Sequence, residues 1–149
     1  MITEKIELLK RLTFNILKEM CFLFQSEDLS SVQSEELPIL VRIDCGKKYS
    51  LFLHFDPILA HTIARNFLGT AQEVIESPFL ESALTEVVNM VGGNFMNATH
   101  MESTAHLSLP EIVEEDWRVF GHDPRTRIVT EAIKVNDRPL QLTIAEHMA

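Results

Sequence analysis

Glu86 and Asn89 are the side chains of this chain whose types and spacing best suit chemistry. They stand three residues apart in a strongly apolar run, with Ser82 four residues before Glu86 and Gly93 four residues after Asn89. An α-helix turns by about 100° per residue, so all four line up in one row. Leu80, Leu84, Val87, Val91, Phe95 and Ala98 fall on the opposite side and read as a buried stripe, which leaves the polar row facing outward. A carboxamide holds a donor and an acceptor in fixed geometry and can orient a water for in-line attack on a phosphoryl group, as a glutamine does in GTP hydrolysis. A carboxylate beside it can grip a cation. Neither group is a nucleophile or a metal cage, so the pair would complete an active site brought by another molecule.

Gly92 and Gly93 sharpen this reading. Each glycine inside a helix costs about 1 kcal/mol relative to alanine, a cost that a plain surface helix has no reason to carry. Gly93 continues the row beyond Asn89, where the missing side chain would let a partner reach the carboxamide. Spacing alone is weak, since most Glu/Asn pairs at this separation belong to a solvated helix face. The whole pattern, Ser82-x-x-x-Glu86-x-x-Asn89 running into Gly93-Asn94, closely resembles the signature of the CheX/CheC family of bacterial chemotaxis phosphatases.

That resemblance implies an enzyme that accelerates hydrolysis of the aspartyl phosphate on a CheY-type response regulator. In such a partner the electrophile, a bound Mg²⁺ and a lysine already surround the phosphoryl group, leaving positioning and charge management to be supplied. The resemblance then casts Asn89 as the residue that orients water and Glu86 as the ion-pair partner of the regulator's lysine. Ser82, Gly93 and Asn94 support the motif, and this chain itself carries no cofactor. Some family members have a second signature, but the helix after Pro57 has no Glu-x-x-Asn and the first helix has Glu7 and Glu19 without an asparagine three residues on. One site places the chain nearer CheX than CheC and implies a homodimer.

Composition sets the outer limits. At 149 residues and 46% hydrophobic, the chain suits one domain with a sizeable core. A formal charge of −9 and the lack of any Arg/Lys cluster argue against nucleic acid or an anionic membrane as the main partner. Apolar runs such as Met20 to Phe24 fall far short of the roughly 20 residues that span a bilayer, and the acidic start Met1 to Glu7 does not read as a secretory signal. The cytoplasm is the expected location. Cys21 and Cys45 read as two buried small hydrophobes rather than a disulfide.

The elements that must position the row follow from periodicity. Apolar residues at helical spacing predict a first helix from Thr3 to about Phe24 with Thr3 as its cap, followed by a loop over about 26–37. Ile39 to Cys45 and Tyr49 to Phe55 read as a hairpin around Gly46-Lys47-Lys48. Asp56-Pro57 opens a second helix that runs to Gly69, and Ser77-Pro78 opens the signature helix, which extends over about 78–100. Ala105 to Val113 and Trp117 to Phe120 read as irregular strand and loop, and Thr126 to Val135 with Pro139 to Glu146 as a closing hairpin around Asn136-Asp137-Arg138. A helix followed by a hairpin thus occurs twice, hinting at an αββ repeat. The fold class expected is α+β, a two-layer CheC-like domain with helices packed on a mostly antiparallel sheet.

Other signals read as structural. His54, His61, His100, His106, His122 and His147 show no metal-ligand spacing, so no metal site is expected. Glu111, Glu114, Glu115 and Asp116 read as a solvated acidic loop. Ser77, Ser82 and Ser103 lack the elbow and the base that a nucleophilic serine needs. The rival function is a non-catalytic docking or scaffold module of the same fold, as in flagellar switch components; a small-molecule sensor would need an enclosed pocket.

Overall fold

Alternating side chains set the first hairpin. Val41, Ile43 and Cys45 of β1 (Ile39–Cys45) and Leu51, Leu53 and Phe55 of β2 (Tyr49–Phe55) point into one core, and the two strands pair in antiparallel register from Ile39 opposite Phe55 to Cys45 opposite Tyr49. Gly46 makes the turn at φ 64°. In this computed structural model residues 1–24, 37–101 and 104–148 are described. Among them are three α-helices, α1 (Ile2–Cys21), α2 (Pro57–Leu68) and α3 (Ser77–Ala98), and three further strands, β3 (Glu111–Val113), β4 (Thr126–Val135) and β5 (Arg138–His147). Most of the loop expected over about 26–37 lies outside the described residues.

Among the described residues the five-stranded sheet is antiparallel at every pairing, in the order β3-β1-β2-β5-β4. The three helices pack on one face over a single core, which gives the two-layer α+β architecture expected from the pattern. The two hairpins lie side by side with β2 and β5 at the centre, the placement that a two-fold relation between two αββ units would produce.

Local chemistry explains most boundaries. Asp56 caps α2 by accepting the Leu59 N–H at 3.0 Å, Pro57 takes the first helical position, and Gly69 closes the helix at φ 67°. The same Asp56 carboxylate, 1% exposed, pairs with Arg138 at 2.6 and 2.8 Å, tying α2 to the start of β5. Asn136 and Asp137 form the β4–β5 turn at φ 48° and 62°, the backbone that asparagine and aspartate tolerate best after glycine.

The expectations differ from the structure in several places. Helix α1 starts at Ile2, so Thr3 lies inside it rather than capping it, and it ends at Cys21. There Phe22 adopts a left-handed conformation, φ 57°, and the Leu23 N–H reaches back to the Leu17 carbonyl at 3.2 Å. Met20, in the last turn, and Phe24, beyond the helix, are both exposed although they continue the apolar spacing. Ala98, assigned to the buried stripe of α3, is exposed at the last helical position. Arg138 belongs to β5 rather than to the turn. The 105–113 stretch shortens to a bridge between Leu107 and Cys45 plus the three-residue β3, and Trp117–Phe120 is a 3₁₀ turn. That turn covers the sheet face away from the helices, where Phe120 meets Phe52 edge-on at 6.0 Å and Arg42 lies 5.1 Å from its ring.

Candidate functional site

Helix α3 positions the row. Its inner side buries Leu80, Ala83, Leu84, Val87, Val88, Val91, Gly92 and Phe95, and it packs against α1, α2 and β1. Gly92 fixes how closely it lies on the sheet, because a Cβ there would come within 2.8 Å of Ile43 Cδ1 and 3.0 Å of Leu107 Cδ1. Beyond it Phe95 meets Tyr49 edge-on, ring centroids 5.3 Å apart. The helix closes where Thr99 Oγ1 donates to the Phe95 carbonyl at 2.8 Å.

The outer side carries the predicted residues together. Ser82, Glu86 and Asn94 are exposed, and Asn89 and Gly93 are half-buried. Among the described residues no hydrogen bond or ion pair engages the side chain of Glu86 or Asn89. A Cβ at Gly93 would meet nothing within 4 Å, so space stays open beside the carboxamide. The Ser82 carbonyl is used inside the helix, accepting from Thr85 Oγ1 at 3.1 Å.

The row lies on the outer side of α3, apart from the two best-formed clefts among the described residues. One cleft, of about 860 Å³, is lined by Pro38, His54, Glu115, Asp116 and Arg118, and another, of about 790 Å³, by Lys47, Lys48, Tyr49, Met101 and His106. Neither includes a residue of the row. A protruding carboxylate and carboxamide can enter a cavity that another molecule provides; they do not enclose a substrate of their own.

The remaining residues sort by burial. Cys21 and Cys45 are free and buried, their thiols pushed up to about 11 and about 12 by burial, with the Asp44 charge adding to the second. Among the described residues no three His, Cys, Asp or Glu side chains gather as a metal cage would require. Asp116 accepts the Arg118 N–H at 2.8 Å and so caps the 3₁₀ turn, while Glu111, Glu114 and Glu115 are exposed. Ser103 lies outside the described residues.

Sequence reasoning missed one serine–histidine contact. Ser50 Oγ and His147 Nε2 are 2.9 Å apart, and His147 Nδ1 is 3.2 Å from Thr126 Oγ1. Ser50 is 2% exposed and the imidazole is backed by a hydroxyl rather than a carboxylate, so the contact holds β2, β5 and β4 together instead of activating a nucleophile. Strand pairing, with Tyr49 opposite Glu146, is what brings these distant residues together.

With this geometry in view, the match to known proteins is decisive. The family model described as chemotaxis phosphatase CheX matches residues 40–118, more than half of the chain. The chain belongs to the CheX family. Comparison with curated proteins returns no match. Among solved structures, the chemotaxis protein CheX from Desulfovibrio desulfuricans is 18% identical, with a TM-score of 0.68 over 95% of this chain and 97% of that one. The CheX–CheY–BeF₃–Mg²⁺ complex from Borrelia burgdorferi gives 16% identity and a TM-score of 0.68 over 97% of each chain. FliY from Thermotoga maritima shares the fold more distantly, at 14% identity and a TM-score of 0.55 over 97% of this chain and 90% of that one. Helices on an antiparallel sheet are thus the CheC-like fold, and the row of α3 falls inside the segment that the CheX model matches. Among the described residues no helix is long and apolar enough to cross a membrane.

Proposed function

We propose that this CheX-family protein accelerates hydrolysis of the aspartyl phosphate of a CheY-type response regulator in the cytoplasm. Glu86 and Asn89 enter the regulator's active site from α3. The Glu86 carboxylate pairs with the regulator's lysine and fixes the docked orientation. Asn89 then holds a water in line with the phosphorus through its carboxamide. The water oxygen bonds to phosphorus as the bond to the aspartyl oxygen breaks, leaving a free carboxylate on the regulator and inorganic phosphate. Mg²⁺, held by the regulator, neutralises charge on the phosphoryl oxygens.

The observation that carries this reading is the open face of α3, where both side chains lie without a partner among the described residues and Gly93 leaves room beside them. A buried or paired Asn89 would have no free donor and acceptor to offer. The protein acts as a homodimer in this proposal, and β4 supports it as a ten-residue strand at the edge of the sheet, the kind of edge that strands of a second copy cover.

The test is the lifetime of a phosphorylated regulator from the same cell with and without the protein. The wild-type chain shortens it; Asn89→Ala removes the acceleration, by about 100-fold or more, with the fold intact. Glu86→Lys raises KM and lowers kcat far less. Full acceleration by Asn89→Ala would defeat the proposed chemistry. The likeness to FliY favours one second reading, a docking module of the same fold. It predicts binding of the phosphorylated regulator with no change in its phosphate lifetime.

A further inference from the structure

Phe79 stands in the first turn of α3, seven residues before Glu86, which an α-helix converts to about 20° of arc and roughly 10 Å along the axis. It therefore extends the row of Ser82, Glu86, Asn89 and Gly93 toward the helix start. Its neighbour Leu80 turns inward at 7% exposure, whereas Phe79 is 58% exposed. A lone exposed phenylalanine is ordinary on a protein surface. This one is distinguished by where it lies and by how firmly its backbone is held.

The Phe79 and Leu80 N–H groups donate to the Glu76 carbonyl at 3.0 and 2.9 Å, closing the first turn. The preceding Ile75 is 5% exposed and its N–H donates to His61 Nδ1 of α2 at 3.2 Å, and Arg65 of α2 donates to the Glu73 carbonyl at 2.6 Å. The aromatic ring is thus mounted on a fixed base and loses little backbone freedom when a partner covers it.

We infer that Phe79 is an apolar anchor for the response regulator, filling a hydrophobic hollow beside the regulator's phosphorylation site when Glu86 and Asn89 are seated. The inference rests on the proposed function and adds the residue that supplies affinity. A specific interface covers about 800 Å² on each partner, a patch roughly 30 Å across, so a regulator centred on Glu86 also covers Phe79. Glu86 and Asn89 are polar groups whose desolvation offsets much of what their contacts contribute; aromatic side chains near the middle of an interface carry most of its binding energy. The occupant is the regulator because Phe79 shares the arc of the reacting pair rather than the sheet edge at β4.

The experiment measures the affinity of the full chain for the beryllofluoride-loaded regulator, together with kcat and KM for phosphate release and the mass of the free protein in solution. Phe79→Ala should weaken binding and raise KM by about ten-fold or more, with kcat within about two-fold of wild type, and Phe79→Trp should restore most of the affinity. An unchanged melting temperature certifies the fold. Unchanged affinity in Phe79→Ala overturns the inference, and so does a drop in solution mass, which would assign Phe79 to a contact between copies. If wild type binds and Phe79→Ala weakens it while neither shortens the phosphate lifetime, the anchor stands and the phosphatase reading fails. A wild-type chain that binds no regulator defeats both.

Discussion

A methyl group added at Gly92 would press on Ile43 and Leu107 at 2.8 and 3.0 Å, whereas one added at Gly93, the next residue of the same helix, would meet nothing within 4 Å. The inner glycine is a packing device: it lets α3 settle onto β1. The outer one packs on nothing within 4 Å, and under the proposed function its cost in helix stability is explained by the row it keeps clear. Under that proposal two identical residues divide the requirements of folding from those of function between the two sides of one helix. Stability and activity should respond to different faces of α3.

The largest effect should come from deep on the inner side. Phe95→Ala removes a fully buried ring packed against Tyr49 and is expected to lower unfolding free energy by about 3–5 kcal/mol in a denaturant titration, with the rate per folded molecule unchanged. Gly92→Val, which crowds Ile43 and Leu107, should cost about 2 kcal/mol by the same measurement. Gly93→Ala should do the reverse on both counts. It raises stability by about 1 kcal/mol through helix propensity and yet raises KM for the phosphorylated regulator, because the added methyl stands beside Asn89. If Gly93→Ala leaves KM unchanged, the outer glycine serves no partner and the contrast between the two faces dissolves.

The smallest effect lies on the far side of the sheet. Burial lowers the pKa of His147, with Arg42 acting the same way and Asp44 and Asp123 opposing. The folded state therefore binds a proton less readily than the unfolded chain, whose histidine titrates near about 6.5. Stability contributed by the neutral ring is present above that pH and is lost as pH falls through the lower folded value. Thermal midpoints should decline below about pH 6.5, and His147→Asn should flatten part of that decline, leaving the share of His54, whose pKa burial also lowers.

Features written in local chemistry were legible in the sequence. Asp56-Pro57 and Gly69 bracket α2 because cap and terminator act within a few residues, and the strands of the first hairpin match their expected ends because each is a short apolar run bounded by Pro38, Gly46 and the Asp56 cap. The row on α3 was legible because helical geometry fixes which residues share a face. What escaped depends on tertiary contacts. Phe22 ends α1 without the glycine that normally marks such a stop, and Trp117–Phe120 coils into a 3₁₀ turn whose Phe120 packs on Phe52 and His147 from distant strands. Phe79 escaped as well, since beside Leu80 it reads as one more apolar residue and only three-dimensional exposure separates the two.

Cys45 lies wholly out of solvent at the end of β1, its Sγ 3.8 Å from the Gly92 carbonyl. A thiol so enclosed reacts with an alkylating reagent only when the helix above it lifts away. In a Cys21→Ala background, the labelling rate at this sulfur becomes a clock for the breathing of α3, placed beneath the segment that carries Glu86 and Asn89.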